Sequence, residues 1–243
     1  MKIAVSGTYS SGKTLTVMAL SYYTGIPRTL AKAIREIMPL AVPGKRLSEV
    51  TPAEFLHLMM QRHVERVVHE TRLGDHFVSD GSSLQEWLYG GTRTIYGMNP
   101  AQPSSAPLND DPEMLFFGKV VREFSKSFKR HVKSTYDVFI HLRHELPLIN
   151  DGHRPMSNQF RTQIDNMLLE TLEELAIPYY VVHGDIASRL GSIATLLEIE
   201  FVLSAEEAIA LAKEAYSRLD LRLETDRASR RNNVSTSNDS HSY

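Results

Sequence analysis

Gly7-Thr8-Tyr9-Ser10-Ser11-Gly12-Lys13-Thr14 decides the fold, because it meets the spacing G-x-x-x-x-G-K-[ST] at every fixed position. The two glycines let the backbone turn so that successive N–H groups face a phosphate. In such a loop the lysine, here Lys13, reaches the β- and γ-phosphates, and the hydroxyl of Thr14 is a magnesium ligand. The flanks supply what the motif needs. Residues 2–6 form a short apolar run that breaks at Gly7, and a helical pattern resumes through Val17, Met18 and Leu20. The order is strand, loop, helix, and the helix adds its positive N-terminal end to the cradle. A glycine-rich turn with a chance lysine would come with neither element. All eight residues are nucleotide-binding candidates. Lys13 is also a catalytic candidate, and Thr14 a metal ligand.

Outward from the loop, Gly25-Ile26-Pro27 ends the first helix, and a second helical stretch from Leu30 to Met38 is closed by Pro39 and Pro43. Thr51-Pro52 opens a long helix, with threonine placed to cap and proline at the first position. Phe55, Leu58, Met59, Val64, Val67 and Val68 recur along it until Gly74. His76 to Asp80 reads as a buried strand ending in an acid, and Leu84 to Tyr89 begins another helix. A long loop rich in Gly, Pro, Ser and Asn covers 95–112 and reads as a functional lid or an insertion. Met114 to Val132 is helical, Tyr136 to Leu142 a strand, Ser157 to Leu175 a helix, and Tyr179 to Val182 a strand. Helices from Asp185 to Leu197 and from Ser204 onward complete the chain, and residues 226–243, Arg/Asn/Ser-rich, read as a disordered tail. Alternating strands and helices imply an α/β fold: a doubly wound, parallel, five-stranded sheet with helices on both faces, the architecture of P-loop NTPases.

Composition narrows the function. Lys+Arg 27 against Asp+Glu 29 leaves a net charge of -2, so no basic face is implied and nucleic acid is not an expected partner. The absence of cysteine excludes disulfides, thiolate zinc sites and cysteine nucleophiles, and is compatible with a reducing compartment. No apolar run approaches the ~20 residues that cross a bilayer, and the N-terminal run is too short for a signal peptide. The expectation is a cytoplasmic protein with no membrane partner.

A phosphate loop needs a second acid near its magnesium, usually at the end of a neighbouring strand. Asp80 is the candidate, as metal ligand, as acceptor of a hydroxyl proton, or as a turn aspartate before Gly81. No Asn-Lys-x-Asp segment of guanine-specific GTPases is present, nor the Leu-Ser-Gly-Gly-Gln of transporter ATPases. What remains is mainly small phosphotransferases with an arginine-bearing lid. Asn150-Asp151-Gly152-His153-Arg154 precedes a helix with Arg161 and Asp165. Arg154 and Arg161 are catalytic candidates for neutralising a transferring phosphoryl group; the alternative is a surface pair between Arg161 and Asp165.

With these residues quoted, the chain resembles the AAA_28-type ATPase/kinase domain, which includes the ribosylnicotinamide kinase domain and is related to deoxynucleoside and thymidylate kinases. The resemblance spans roughly residues 1–198. The expected organisation is a kinase-like domain over 1–200, with 201–225 as a C-terminal helix packed on it. The resemblance implies ATP-dependent phosphoryl transfer to a small hydroxyl-bearing, nucleoside-like acceptor, with Lys13, Thr14, Asp80, Arg154 and Arg161 in binding or catalytic roles. Related kinases commonly place arginine directly after the strand-terminal acid, where this chain has Gly81. No adenylyltransferase or DNA-binding domain is expected beside it. Arg35 and Glu36 are acceptor-side candidates through the same resemblance, or a solvated charge pair.

Glu86 is a candidate for an acceptor hydroxyl, and Trp87 for stacking on a ring or for the core. His63, His69, His141 and His144 lack a third ligand at metal-site spacing and read as structural or surface residues. Arg93 and Tyr96 stand at the entrance of the 95–112 loop. The cofactors expected are ATP, with GTP also allowed, and Mg²⁺; a homodimer is compatible with the sequence. Two functions stay open: a small-molecule kinase, and a regulatory ATP/GTP-binding switch acting through a protein partner.

Overall fold

A computed structural model describes residues 1–29, 32, 34–100, 111–147 and 157–219, without the side chain of Arg35. Four parallel strands form one sheet in the order β2-β1-β3-β4: β1 (Lys2–Ser6), β2 (Phe77–Asp80), β3 (Val138–Leu142) and β4 (Tyr179–Val182). Side chains alternate across the sheet, as the two-residue period of a strand requires. Ile3, Val5, Val78, Ile140 and Leu142 enter one apolar layer, and Ala4, Phe77 and Phe139 enter the other. The first layer is covered by α1 (Lys13–Thr24), α7 (Ile186–Leu197) and α8 (Ala205–Ser217). The second is covered by α4 (Ser83–Tyr96), α5 (Pro112–Thr135) and α6 (Asn158–Glu174). α2 (Ile34–Ala41) and α3 (Pro52–Leu73) enclose a third cluster with α5, around Met38, Leu58, Phe117 and Phe128.

The expected fifth strand does not form among the described residues. The outer edge of β2 carries a single parallel bridge, between Arg28 and Val78. Val78 N donates to the carbonyl of Pro27, and Thr29 N to that of Val78, both at 2.9 Å. Pro27 has no N–H to extend the ladder on its N-terminal side. α2 also departs from expectation, running through Pro39 to Ala41. One backbone bond is lost there, and burial of Ile37 and Met38 holds the helix. α3 begins and ends at its sequence signals, with Thr51 Oγ1 accepting from Glu54 N and Gly74 closing it. Its faces differ from the apolar pattern. Val64 and Val68 are exposed, while Arg66 and Glu70 point inward.

Candidate nucleotide and acceptor site

β1 delivers the phosphate loop to the C-terminal edge of the sheet. Gly7 has φ 149°, and a Cβ there would lie 2.7 Å from Ser11 Oγ and 2.8 Å from the carbonyl of Leu142, so no side chain fits. Gly12, at φ 79°, is the N-cap of α1 and offers no side-chain cap; the first turn of α1 carries no acid. α3, α5, α6, α7 and α8 are capped by Thr51, Asp111, Ser157, Asp185 and Ser204. α1 therefore keeps its N-terminal N–H groups and partial positive charge facing outward. Thr8 Oγ1 and Ser11 Oγ are buried and lack a hydrogen-bond partner among the described residues. An anion seated here would meet donors that nothing else uses. From behind, Arg189 of α7 donates to the carbonyl of Ser11 at 2.8 Å and bonds Thr16 Oγ1 at 3.4 Å.

The parallel register sets Asp80 opposite Val5, beside the loop. Lys13 Nζ forms an ion pair with Asp80 Oδ1, the two side chains being 19% and 26% exposed. Burial pushes the Asp80 carboxyl up, but the charge and hydrogen bond of Lys13, the Thr14 hydroxyl and the more distant Arg66 outweigh it. The carboxyl is held below its ordinary range. Thr14 and Asp80 present hard oxygen donors, which suit Mg²⁺ when phosphate oxygens complete the shell. Among the described residues no group of three His, Cys, Asp or Glu could hold a metal unaided.

Behind Asp80, α3 supplies charges that the apolar pattern concealed. Arg66 is 1% exposed. Its Nη1 donates to Ser79 Oγ at 3.0 Å and to the carbonyls of Asp80 at 3.1 Å and Gly81 at 3.2 Å. Its Nη2 reaches Glu86 Oε1 at 3.5 Å. Arg62 Nε lies 2.8 Å from the same oxygen, a charge contact whose angle falls outside hydrogen-bond geometry. Glu70 accepts from Ser79 at 2.8 Å and from the Tyr136 hydroxyl, and pairs with His131 at 3.2 Å. Arg62, Arg66 and Glu70 are spaced four apart, so the line of charge was visible as spacing; its inward direction was not. Gly81 has φ 83°, where any side chain is strained, and a Cβ there would displace the Gln85 amide, whose Oε1 lies 2.1 Å away. The cation at this end of β2 comes instead from Arg66.

The model of the AAA_28 family, an AAA domain, matches residues 2–189. The chain belongs to this family. Solved structures share its fold. One is deoxyadenosine kinase from M. mycoides with bound dATP, at 13% identity and a TM-score of 0.57, covering 82% of this chain and 100% of that one. Another is NadR protein in complex with NR, at 14% identity and a TM-score of 0.54, covering 83% and 53%. No curated protein matches the sequence.

The other sequence candidates take varied places in this AAA_28 domain. Arg161 is buried, and among the described residues its guanidinium bonds the carbonyl of Leu146, at 3.4 and 3.3 Å. Burial lowers its pKa against the pull of Tyr9, Asp165 and Tyr89. The surface pair with Asp165 does not form, because both residues are buried. Asp165 instead contacts His144 Nδ1 at 2.5 Å and lies 3.7 Å from His141 Nε2. His141 is itself buried against Ser6 Oγ at 3.2 Å. Asp151, Gly152 and Arg154 lie outside the described residues, as does the side chain of Arg35. Glu36 is exposed on α2. Trp87 packs between two core clusters with Lys129 Nζ 4.9 Å from its ring, so that face is already engaged. His63 bonds Ser83 Oγ at 2.8 Å and lies against Phe128.

Proposed function

We propose that this chain transfers the γ-phosphoryl group of ATP to a hydroxyl of a small, nucleoside-like acceptor, with Mg²⁺. The meeting of Lys13 and Asp80 across the β1–β2 register carries this reading. A cation suited to phosphate and an acid suited to a metal or a hydroxyl share one point. In the free protein they neutralise each other, and an arriving triphosphate takes over Lys13. Thr14 and Asp80 are the side chains that would hold magnesium, which when bound neutralises charge on the β- and γ-phosphates.

In the transfer, the acceptor oxygen bonds to the γ-phosphorus as the bond to the β,γ-bridging oxygen breaks and ADP leaves. The hydroxyl proton passes to the Asp80 carboxylate. Arg161, with Arg154, offsets charge on the moving group. Glu86, braced by Arg62 and Arg66, faces the acceptor. The shared fold of a deoxyadenosine kinase and of NadR supports the reading. The test is a panel of nucleosides, ribosides and small alcohols with ATP labelled at the γ-phosphate. Transfer to an acceptor is expected. Release of label only to water, stimulated by another protein, would replace the kinase with a regulatory NTPase.

A further inference from the structure

Arg93, on α4, is a buried charge that this function leaves unused. Its guanidinium carbon lies 4.3 Å from the ring centre of Phe55 and 5.7 Å from that of Phe160, and the residue is 3% exposed. Nη1 donates to the carbonyl of Tyr89 at 2.9 Å, and Nε to that of Met98 at 3.3 Å. Among the described residues no carboxylate pairs with the group. Burial pushes its pKa down to about 10, and the side chains that favour its charge are the phenols of Tyr89 and Tyr9. Arg161, also buried and without an ion-pair partner among the described residues, has the same two phenols near it, with Asp165. Tyr9 belongs to the phosphate loop and stacks on Tyr89 at 6.4 Å and Phe160 at 6.2 Å. Two guanidinia without an ion pair among the described residues thus share one aromatic group of the nucleotide side. A cation withdrawn from water is stable when an anion meets it.

The pairing of α3 with α4 shows where this lies. Arg66 stands at Gly81, Arg62 at Glu86 and Arg93 over Phe55, successive rungs of one antiparallel contact that starts at Asp80. Seven residues separate Glu86 from Arg93, roughly 10 Å along the helix.

We propose that Arg93 recognises an anionic group on the acceptor, so that the molecule phosphorylated carries a carboxylate or a phosphate besides its hydroxyl. This rests on the kinase reading above and sharpens its substrate from a neutral nucleoside to an acid.

Titration calorimetry on the full chain, with Mg²⁺ and the β,γ-methylene analogue of ATP, tests it with uridine, orotidine and uridine 5′-monophosphate. One base is thereby compared neutral, as a carboxylate and as a phosphate. At least one anionic member is expected to bind tenfold or more tighter than uridine, and whichever it is distinguishes the two anions. Arg93→Met should cut that preference at least tenfold, and Arg93→Lys, which keeps the charge, should restore part of it. Equal binding of all three, binding of none, or a preference that survives in folded Arg93→Met overturns the proposal. Should Arg93→Met fail to fold, the uridine comparison and Arg93→Lys decide. An anionic compound that binds through Arg93 yet receives no label from γ-labelled ATP overturns the kinase reading and leaves the anion site standing.

Discussion

α1 begins bare, with no side-chain cap, no acid in its first turn, and two buried hydroxyls beside it without partners among the described residues. Across the site, the Glu86 carboxylate already has Arg62 and Arg66 against it, and Glu70 has Ser79, Tyr136 and His131. On the phosphate side the helix terminus carries no cap or acid of its own, and Lys13 is held by Asp80 until a ligand takes it over. Much of the acceptor side compensates itself and acts as a rigid frame. Removing a group from the first region should therefore be felt in binding and turnover, and from the second in stability.

The largest effect that would break this contrast is expected from Lys13→Ala. Loss of a charge-assisted contact weakens Mg·ATP about 10–100-fold, and loss of charge stabilisation lowers turnover about 10²–10³-fold. Unchanged affinity by calorimetry would show that the loop does not hold the nucleotide. Asp80→Asn comes next. Turnover should fall about 10²–10⁴-fold while Mg·ATP affinity moves by only a few-fold, and a loss confined to affinity would remove Asp80 from the chemistry.

Glu86→Ala probes the frame. It leaves two largely buried guanidinia without their shared acid, at a cost of about 3–5 kcal/mol. The thermal midpoint should drop by roughly 6–20 °C, and a drop of only a degree or two would mean that solvent already serves those arginines.

The smallest effect concerns His63, whose pKa burial, His131 and Arg66 push down to about 4. Its folded value lies below the unfolded one, so between about pH 4 and 6.5 the unfolded chain binds more protons. Stability should fall as pH falls through that window, by at most about 1.4 kcal/mol per unit. His63→Gln, followed by thermal melts across the same range, should flatten this slope.

What the sequence disclosed follows the same division. The phosphate loop is legible because its chemistry is local, with glycines, lysine and threonine in one turn. Asp80 is legible because a buried strand ending in an acid has few other uses. Thr51, Ser157, Asp185 and Ser204 announce their helices for the same reason: a cap bonds within its own first turn.

Arg66, Arg93 and Arg189 are not legible, since an inward arginine and a surface arginine read alike until tertiary packing chooses the face. On α3 that choice runs against the apolar pattern, exposing Val64 and Val68 to bring Arg66 and Glu70 inside. The expected count of five strands is a milder case, since the sequence located four runs and those four form the sheet.

The helix that follows the phosphate loop is also held at its far end. Val202 and Leu203 donate their N–H groups to the carbonyl of Tyr23, at 2.8 and 3.4 Å, and Phe201 stacks on the Tyr23 ring at 5.2 Å. Ala208 and Ala212 of α8 are buried in the same layer. The stretch matched by the family model ends at Arg189, partway through α7 and short of all these contacts. Homology and mechanics thus draw different borders. A fragment trimmed to the matched span would keep every motif residue of the loop, yet lose the anchor that sets where α1 points them.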